Sequence, residues 1–374
     1  MPILTKNDLH AAMYLGLVEI EDITDISATS FDIRIDKLLT PAMERKDMEE
    51  VPLIDGEYWI VGPEKHFLFE TVETFHLAPG FHGKINSRSS WARYGVASRE
   101  ADDEFSMDSR KGFHGKVICS LNTLGTTVKI RPGDSLAQAH LAYNQFIPLM
   151  DSELEKALKD GRLEINRRGK RIKKLVQPYM VDGKMVVGHN VKGGRPMNGG
   201  LTLTTDPTIK VYTGKPIDPH NPDPSCFEER RLANRGTRIK MGTFFLSASA
   251  EEIKIDRHYI GWVDEFNKLL VTSGYHGPFI HPDERPSYLQ THSCAPKIDP
   301  YPRFHGKITF ENLTLDDVII KPGQRITEIY LFHLNNPYLS DDEVSRYKGQ
   351  KKAMRGRAHL DAKIQQLELP FKKK

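Results

Sequence analysis

Two stretches of this 374-residue chain say nearly the same thing: Gly112-Phe113-His114-Gly115-Lys116-Val117 and Arg303-Phe304-His305-Gly306-Lys307-Ile308, each leading into strand-like alternation. A repeat of this kind constrains the fold more than any local propensity, because each copy must form the same supersecondary unit. Further anchors match in the same order. Asn7-Asp8-Leu9 through Gly16 corresponds to Ser152-Glu153-Leu154 through Gly161, each a short helix opened by a polar cap and stopped at glycine. Phe81-His82-Gly83 corresponds to Tyr259-Ile260-Gly261, and Arg131-Pro132-Gly133 to Lys321-Pro322-Gly323.

The offset between anchors grows from 145 residues (Gly16 to Gly161) through 178 (Gly83 to Gly261) to 191 (Gly115 to Gly306), so the second copy carries insertions. Most fall between about 166 and 237, a region that includes the basic run Arg167-Arg168-Gly169-Lys170-Arg171 and the turn-rich Asp218-Pro219-His220-Asn221-Pro222. The basic run reads as a solvated loop. The expected organisation is copy one at 1–150, copy two at 151–340 with the insert at about 166–237, and a polar tail at 341–374, with a helix near Ala358 to Glu368.

Outside the short helices, period-two alternation broken by Pro-Gly and Asn-rich turns predicts a mainly β protein of sandwich or jelly-roll-like domains. Charge is nearly balanced, 53 basic residues against 50 acidic, which gives no overall electrostatic case for nucleic-acid or membrane-surface binding. The N-terminus has no apolar leader core and no stretch approaches about 18 apolar residues, so a cytoplasmic protein without membrane partners is expected. Cys119, Cys226 and Cys294 are odd in number and scattered, which predicts reduced thiols rather than disulfides or a zinc cluster. No His-Glu-x-x-His and no Pro-Cys-x-x-Cys occurs, so no protein-bound metal is expected.

The copies differ where chemistry is concentrated. Copy one holds Arg88, Ser89, Ser90 and Arg93 within six residues, cationic forks and hydroxyls suited to a polyphosphate. The same composition also fits a helix start capped by Ser89 with exposed arginines. Copy two has Phe266, Asn267, Lys268 and Val271 at those positions, a rewriting that favours function over capping. Copy two in turn places Glu311 between Phe310 and Asn312, where copy one has Ser120. Strand alternation turns Glu311 inward, and a partly buried carboxylate has the raised proton affinity that a general base needs. A strand glutamate with its head in water is the competing reading.

These segments resemble a known family. Ala295-Pro296-Lys297-Ile298-Asp299-Pro300 followed by Phe304-His305-Gly306-Lys307-Ile308-Thr309-Phe310-Glu311-Asn312 is similar to the nucleoside-binding motif of the dCTP deaminases. Arg88-Ser89-Ser90-Trp91-Ala92-Arg93-Tyr94-Gly95 resembles their phosphate-binding motif, Ser30-Phe31-Asp32-Ile33-Arg34-Ile35 an early strand, and Pro337-Tyr338 with Arg346-Tyr347-Lys348-Gly349-Gln350 the closing tail. The resemblance implies two tandem dUTPase-like distorted β-barrel or jelly-roll domains, each with a short N-terminal helix, in a homo-oligomer. It implies zinc-independent hydrolysis of dCTP to dUTP and ammonia, with Mg2+ carried by the triphosphate.

By the same resemblance Glu311 is the general base, Ser89 and the main chain of Ala295 position water, and Arg93 supports the charged intermediate. Arg88, Ser89 and Ser90 hold the triphosphate, Asp299 meets the deoxyribose, and Tyr338, Arg346 and Gln350 close over the nucleotide. Lys297, Thr309 and Phe310 are the remaining substrate-binding positions of the motif. Because the two motifs sit in different copies, a single composite site is expected.

Copy one also resembles the sister dUTPases, in Met107-Asp108-Ser109 and Pro132-Gly133-Asp134-Ser135-Leu136-Ala137-Gln138. In that reading Asp108 orients water toward the α-phosphate and Gln138 binds phosphate, although the glycine-rich closing motif of dUTPases is missing. A dUTPase or bifunctional enzyme, with dUTP or dTTP as further ligands, and an inactive nucleotide binder are therefore the alternatives.

Overall fold

The computed structural model describes residues 3–356 apart from 24–25, 28, 43, 64, 102–111, 144–148, 150, 168–169, 172–177, 182–183, 188–199, 264–278, 281–285, 288, 293–296, 303, 340–347 and 355. The helix expected near 358–368 lies outside these residues. Copy one runs α1 (Lys6–Tyr14), β1 (Val18–Glu21), β2 (Phe31–Leu39), β3 (Trp59–Val61), β4 (Phe67–Leu77), β5 (Phe81–Ser87), α2 (Ser89–Ala92), β6 (Val96–Glu100), β7 (Phe113–Thr123), β8 (Val128–Ile130) and β9 (Ser135–Tyr143). Copy two runs α3 (Asp151–Lys159), β10 (Leu163–Arg167), β11 (Gly200–Tyr212), β12 (Thr237–Ile239), β13 (Phe244–Ser249), β14 (Glu251–Ile255), β15 (Tyr259–Val263), β16 (Leu289–His292), β17 (Thr309–Thr314), β18 (Val318–Ile320) and β19 (Arg325–His333).

Both copies adopt the expected mainly β fold, and their sheets have the same strand order. Copy one is ordered β5-β9-β2-β4-β7-β6, with β1 on β4; copy two is ordered β15-β19-β11-β13-β17-β16. In copy one the outer strands meet through side chains: Ser98 N donates to Ser87 Oγ at 2.6 Å, and Ile85 N donates to the Glu100 carboxylate. A nearly closed barrel results. Alternation in β4 sends Phe69, Phe75 and Leu77 into a core shared with Phe31, Ile33, Ile85 and Val117. Copy two builds its own core on Leu203, Ile253, Phe310 and Ile329.

The duplication extends to single hydrogen bonds. In copy one, Glu73 faces inward on β4, where burial pushes its carboxyl up against the opposing pull of Arg34, whose N and Nε donate to it at 3.0 and 2.8 Å. In copy two, Glu251 is equally buried and accepts from Thr204 N, Thr204 Oγ1 and Arg167 Nε at 2.9, 2.7 and 2.6 Å. Thr71 Oγ1 donates to Glu73 O and accepts from Val117 N; Ser249 Oγ donates to Glu251 O and accepts from Ile308 N. A buried carboxylate without such donors would strongly destabilise the core, so both halves of the device have been kept.

The glycine stops fall where expected, and the polar cap of α1 is Thr5, two residues before Asn7. Thr5 and Asp8 form a reciprocal capping box on α1, and Gly16 and Gly161 follow α1 and α3 at φ +68° and +75°, conformations that side chains disfavour.

The chain divides into two compact units that exchange segments. The N-terminal unit comprises Leu4–Gln145, Tyr212–Glu228 and Arg355–Lys374; the C-terminal unit comprises Met1–Ile3, Phe146–Val211 and Glu229–Met354. This differs from a division at 150 and 340, because part of the insert and the end of the tail join the copy-one unit, and the first three residues join the other. Ile3 N donates to His333 O and Asn335 N to Ile3 O, both at 3.0 Å, which fixes the start of the chain on the end of β19. Lys170 and Arg171 are exposed, in keeping with a solvated basic run.

Cys119 and Cys226 are buried free thiols. Burial pushes the Cys119 thiol well above its usual range, and the Glu100 and Glu73 carboxylates add to the effect. At pH 8 the native protein is therefore expected to label Cys119 at less than about 1% of the rate in denaturant, since the thiolate is the nucleophile. Peptide mapping after a timed alkylation reads this out.

Candidate active site

The Arg88–Gly95 segment forms a turn and a four-residue helix, α2, between β5 and β6. Arg88 N donates to Leu136 O at 2.9 Å, which anchors the segment to the start of β9. Arg88 Nη1 lies 2.8 Å from the Asp32 carboxylate on β2, so the guanidinium is oriented by an ion pair. Gln138 on β9 sits opposite Asp32 on one side and Asn86 on the other, and its Oε1 accepts from Ser30 Oγ at 3.2 Å. Three strands thus bring Arg88, Asp32 and Gln138 into one polar cluster. Ser90 and Arg93 are buried, and Ser89 is half-buried at the helix start.

Two segments distant in sequence seat α2. Trp91 is 1% exposed in the core, and its ring meets His220 edge-on at 6.3 Å. His220 Nε2 lies 2.8 Å from Asp134 Oδ1; burial pushes the Asp134 carboxyl up, against the stabilising influence of His220 and of Arg131 N, which donates at 2.7 Å. His220 belongs to the inserted Tyr212–Glu228 segment, whose Ile217 exchanges hydrogen bonds with Thr127 O and Lys129 N at 2.8 and 2.9 Å, extending β8. Ile217 is buried in the same core as Trp91. Ile217→Ala is expected to destabilise this unit by about 2–4 kcal/mol, read as a lower urea midpoint.

The second seat is the tail: Tyr94 OH donates to Gly356 O at 2.8 Å in a buried contact. A Cβ at Gly356 would lie 2.1 Å from Ser90 O and 2.5 Å from Tyr94 Cε2, so only glycine fits.

Glu311 lies on β17 between β13 and β16, at the register of Leu246 and His292, and is 2% exposed. In copy one, Ser120 sits opposite Leu68 and Arg99 on the corresponding strands and donates to Arg99 O at 3.3 Å. The pairing registers therefore place Glu311 on the Ser120 position. Neighbouring Asn312 is fully buried and its amide donates to Phe245 O, Ser247 Oγ and Phe310 O, which pins the strand. Around it, the Gln350 amide donates to Thr309 Oγ1, Lys307 N donates to Gln350 O at 2.9 Å, and Lys297 Nζ lies 3.0 Å from Asp299. Tyr338 is buried, its N donating to Arg257 O at 2.8 Å.

Phe310 is fully buried in the hydrophobic core, which leaves only its main chain to meet a ligand. Asp108, Ala295 and Arg346 lie outside the described residues. Among the described residues no group of three His, Cys, Asp or Glu gathers as a metal cluster, and no helix is long and apolar enough to cross a membrane. Asp32, Asp134, His220, Tyr94 and Gly356 were not singled out as site residues by their sequence context. Arg-Gly-Arg in a polar tail was the one available sign of Gly356.

A family model described as dCTP deaminase-like matches the chain twice, over residues 3–143 and 149–334. The chain belongs to the dCTP deaminase-like family. It is a tandem two-copy member, as the repeated hydrogen bonds and registers also show. Among its relatives, a dCTP deaminase from Aeropyrum pernix is 27% identical over 144 residues, 35% of this chain and 78% of that protein. A dUMP-forming dCTP deaminase from Acidothermus cellulolyticus is 26% identical over 151 residues, 36% of this chain and 77% of that protein. The crystal structure of 2'-deoxycytidine 5'-triphosphate deaminase from Agrobacterium tumefaciens superposes with a TM-score of 0.65 at 16% identity, covering 90% of this chain and 99% of that one. At that coverage the fold likeness takes in both dCTP deaminase-like copies.

Proposed function

We propose that this chain hydrolyses the 4-amino group of dCTP, with phosphate recognition from copy one and base chemistry from copy two. The observation that carries the reading is Glu311, a buried carboxylate on the strand register where copy one has only Ser120. The polar cluster of Arg88, Ser89, Ser90 and Gln138 supports the other half. Magnesium enters as part of the triphosphate substrate.

Hydrolysis at C4 of cytosine requires water to lose a proton as it attacks and the departing amine to gain one. Glu311 accepts the first proton and returns it to the leaving nitrogen, so no net proton is left on the enzyme. Negative charge developing on the ring is met by fixed donors rather than by mobile water. Arg93 and Ser89 supply a guanidinium and a hydroxyl for that role. Arg88, oriented by Asp32, presents its remaining N–H groups to the triphosphate.

Several relatives are dUMP-forming dCTP deaminases, which favours a second reading, in which product dUTP is hydrolysed further to dUMP. Gln138 in the dUTPase-like segment of copy one supports it. Incubation with dCTP and magnesium, followed by ion-exchange chromatography and an ammonia assay, separates the readings. Ammonia with dUTP supports deamination alone, ammonia with dUMP the bifunctional enzyme, and tight dCTP binding with neither product removes both.

A further inference from the structure

Copy two holds a polar cavity of about 500 Å³ that has no part in the proposed deamination. Its floor is the bulge of β11, where the register on β13 shifts between Thr205 and Ile209, together with the Pro322-Gly323 turn, whose Gly323 N donates to Thr205 O at 2.8 Å. Asp206 in the bulge is 4% exposed; its Oδ1 accepts from Thr208 N and Oγ1 at 3.1 and 2.9 Å, and its Oδ2 meets the Lys307 ammonium. Leu232 N donates to Pro207 O at 2.8 Å, which sets Arg231 in the wall. Glu252, Asn166 and Asn234 complete the polar lining. The volume falls in the range of about 300–1,000 Å³ typical of small-molecule sites.

Ion pairing within this lining leaves one charge over. Lys307 is matched by Asp206, and Glu252 by Lys351 at 2.8 Å. The side chains of Arg231, Asn166 and Asn234 make no hydrogen bond or ion pair among the described residues. A guanidinium and two amides therefore line the cavity with their hydrogen-bonding capacity unused. Copy one crowds carboxylates into the same place. Lys116, at the Lys307 position, lies 2.6 Å from Asp36 and 3.7 Å from Glu70. The Ile35–Thr71 pair corresponds to Thr205–Ser249, so Ala248 stands where copy one has Glu70. Glu21 opposite Thr74 is likewise replaced by Asn166 opposite Glu252. Copy two has lost carboxylates at two positions, gained one that carries its own lysine, and added Arg231.

We propose that this cavity binds a polyhydroxylated phosphate monoester, a sugar phosphate of pentose size. Arg231 takes two phosphate oxygens as a planar fork. The carboxylates of Asp206 and Glu252, each already held by a lysine, keep lone pairs that accept sugar hydroxyls, and the Asn166 and Asn234 amides donate and accept beside them. Neither an inorganic anion nor a neutral sugar uses both halves of this lining. Lys307 stands four residues before Glu311, about 13 Å at the usual rise of extended chain, so the ligand sits apart from the proposed base.

The test is equilibrium dialysis of radiolabelled ribose 5-phosphate against the full-length protein without magnesium, a readout that does not depend on turnover. Wild type is expected to bind one equivalent per chain with a Kd below about 1 mM. Arg231→Ala is expected to weaken binding at least about tenfold, and Asn166→Glu, which restores the carboxylate of copy one, by at least as much, with the melting temperature unchanged in both. Ribose and inorganic phosphate are each expected to compete at least about tenfold less well than unlabelled ribose 5-phosphate. No saturable binding below about 1 mM overturns the proposal. Unchanged affinity in either variant, or equal competition by inorganic phosphate, also overturns it. Loss of binding in Arg88→Ala overturns it too, because the ligand would then belong to the Arg88–Arg93 segment of copy one.

Discussion

Glu311→Gln is expected to lower kcat for ammonia release from dCTP by about 10³-fold or more, while the Kd for dCTP stays within about threefold. The substitution keeps the volume of a side chain that is 2% exposed on a strand covered on both faces, so packing changes little. It removes the carboxylate that copy one lacks at this register, where Ser120 stands instead and donates to Arg99 O. A glutamine amide still hydrogen-bonds, which preserves binding and isolates the proton-transfer step. Pre-steady-state ammonia release and a binding isotherm on the same preparation measure both quantities. Turnover within tenfold of wild type would remove Glu311 from the role of base.

Gly356→Ala is expected to be nearly as damaging, by steric rather than chemical means. The added methyl would sit 2.1 Å from Ser90 O and 2.5 Å from Tyr94 Cε2, both in the buried seat of α2. One partner is main chain and the other a ring that is 1% exposed, so neither yields by a side-chain swing. Overpacking of this kind destabilises by about 1–3 kcal/mol where the tail stays seated. Where it unseats instead, the phosphate motif loses its support and kcat/KM for dCTP falls at least about tenfold. Tyr94→Phe removes only the 2.8 Å hydrogen bond to Gly356 O and is expected to cost about 1 kcal/mol, which calibrates the effect. Thermal melts and steady-state kinetics on the two variants separate clash from lost bond; a wild-type Gly356→Ala would show that the tail does not support the motif.

Much of the fold was legible because the repeat is carried by residues with local jobs. Glycines at the helix ends and Pro-Gly turns between strands mark fixed backbone positions, so the copies align by sequence and then by hydrogen bond. Strand registers confirm that Ser120 and Glu311 share a position, which anchor spacing alone had implied. The segment exchange was not legible. Ile217 joins β8 through main-chain hydrogen bonds, which any residue but proline can make, and Asp218-Pro219-His220 reads as an ordinary turn. The partners of Arg88 and His220 were hidden for a related reason. Asp32 and Asp134 act across strands, 56 and 86 residues away, and no local pattern marks such pairs.

The decisive measurement is ammonia release from magnesium dCTP by wild type, Arg88→Ala and Glu311→Gln under identical conditions. If both copies serve one nucleotide, wild type forms one ammonia per dCTP consumed, Glu311→Gln forms none, and Arg88→Ala raises the KM for dCTP by about tenfold or more, in line with the loss of a charge-assisted phosphate contact. Ammonia release by Arg88→Ala at the wild-type KM, or by Glu311→Gln at the wild-type rate, would show that the two motifs do not act on a shared substrate.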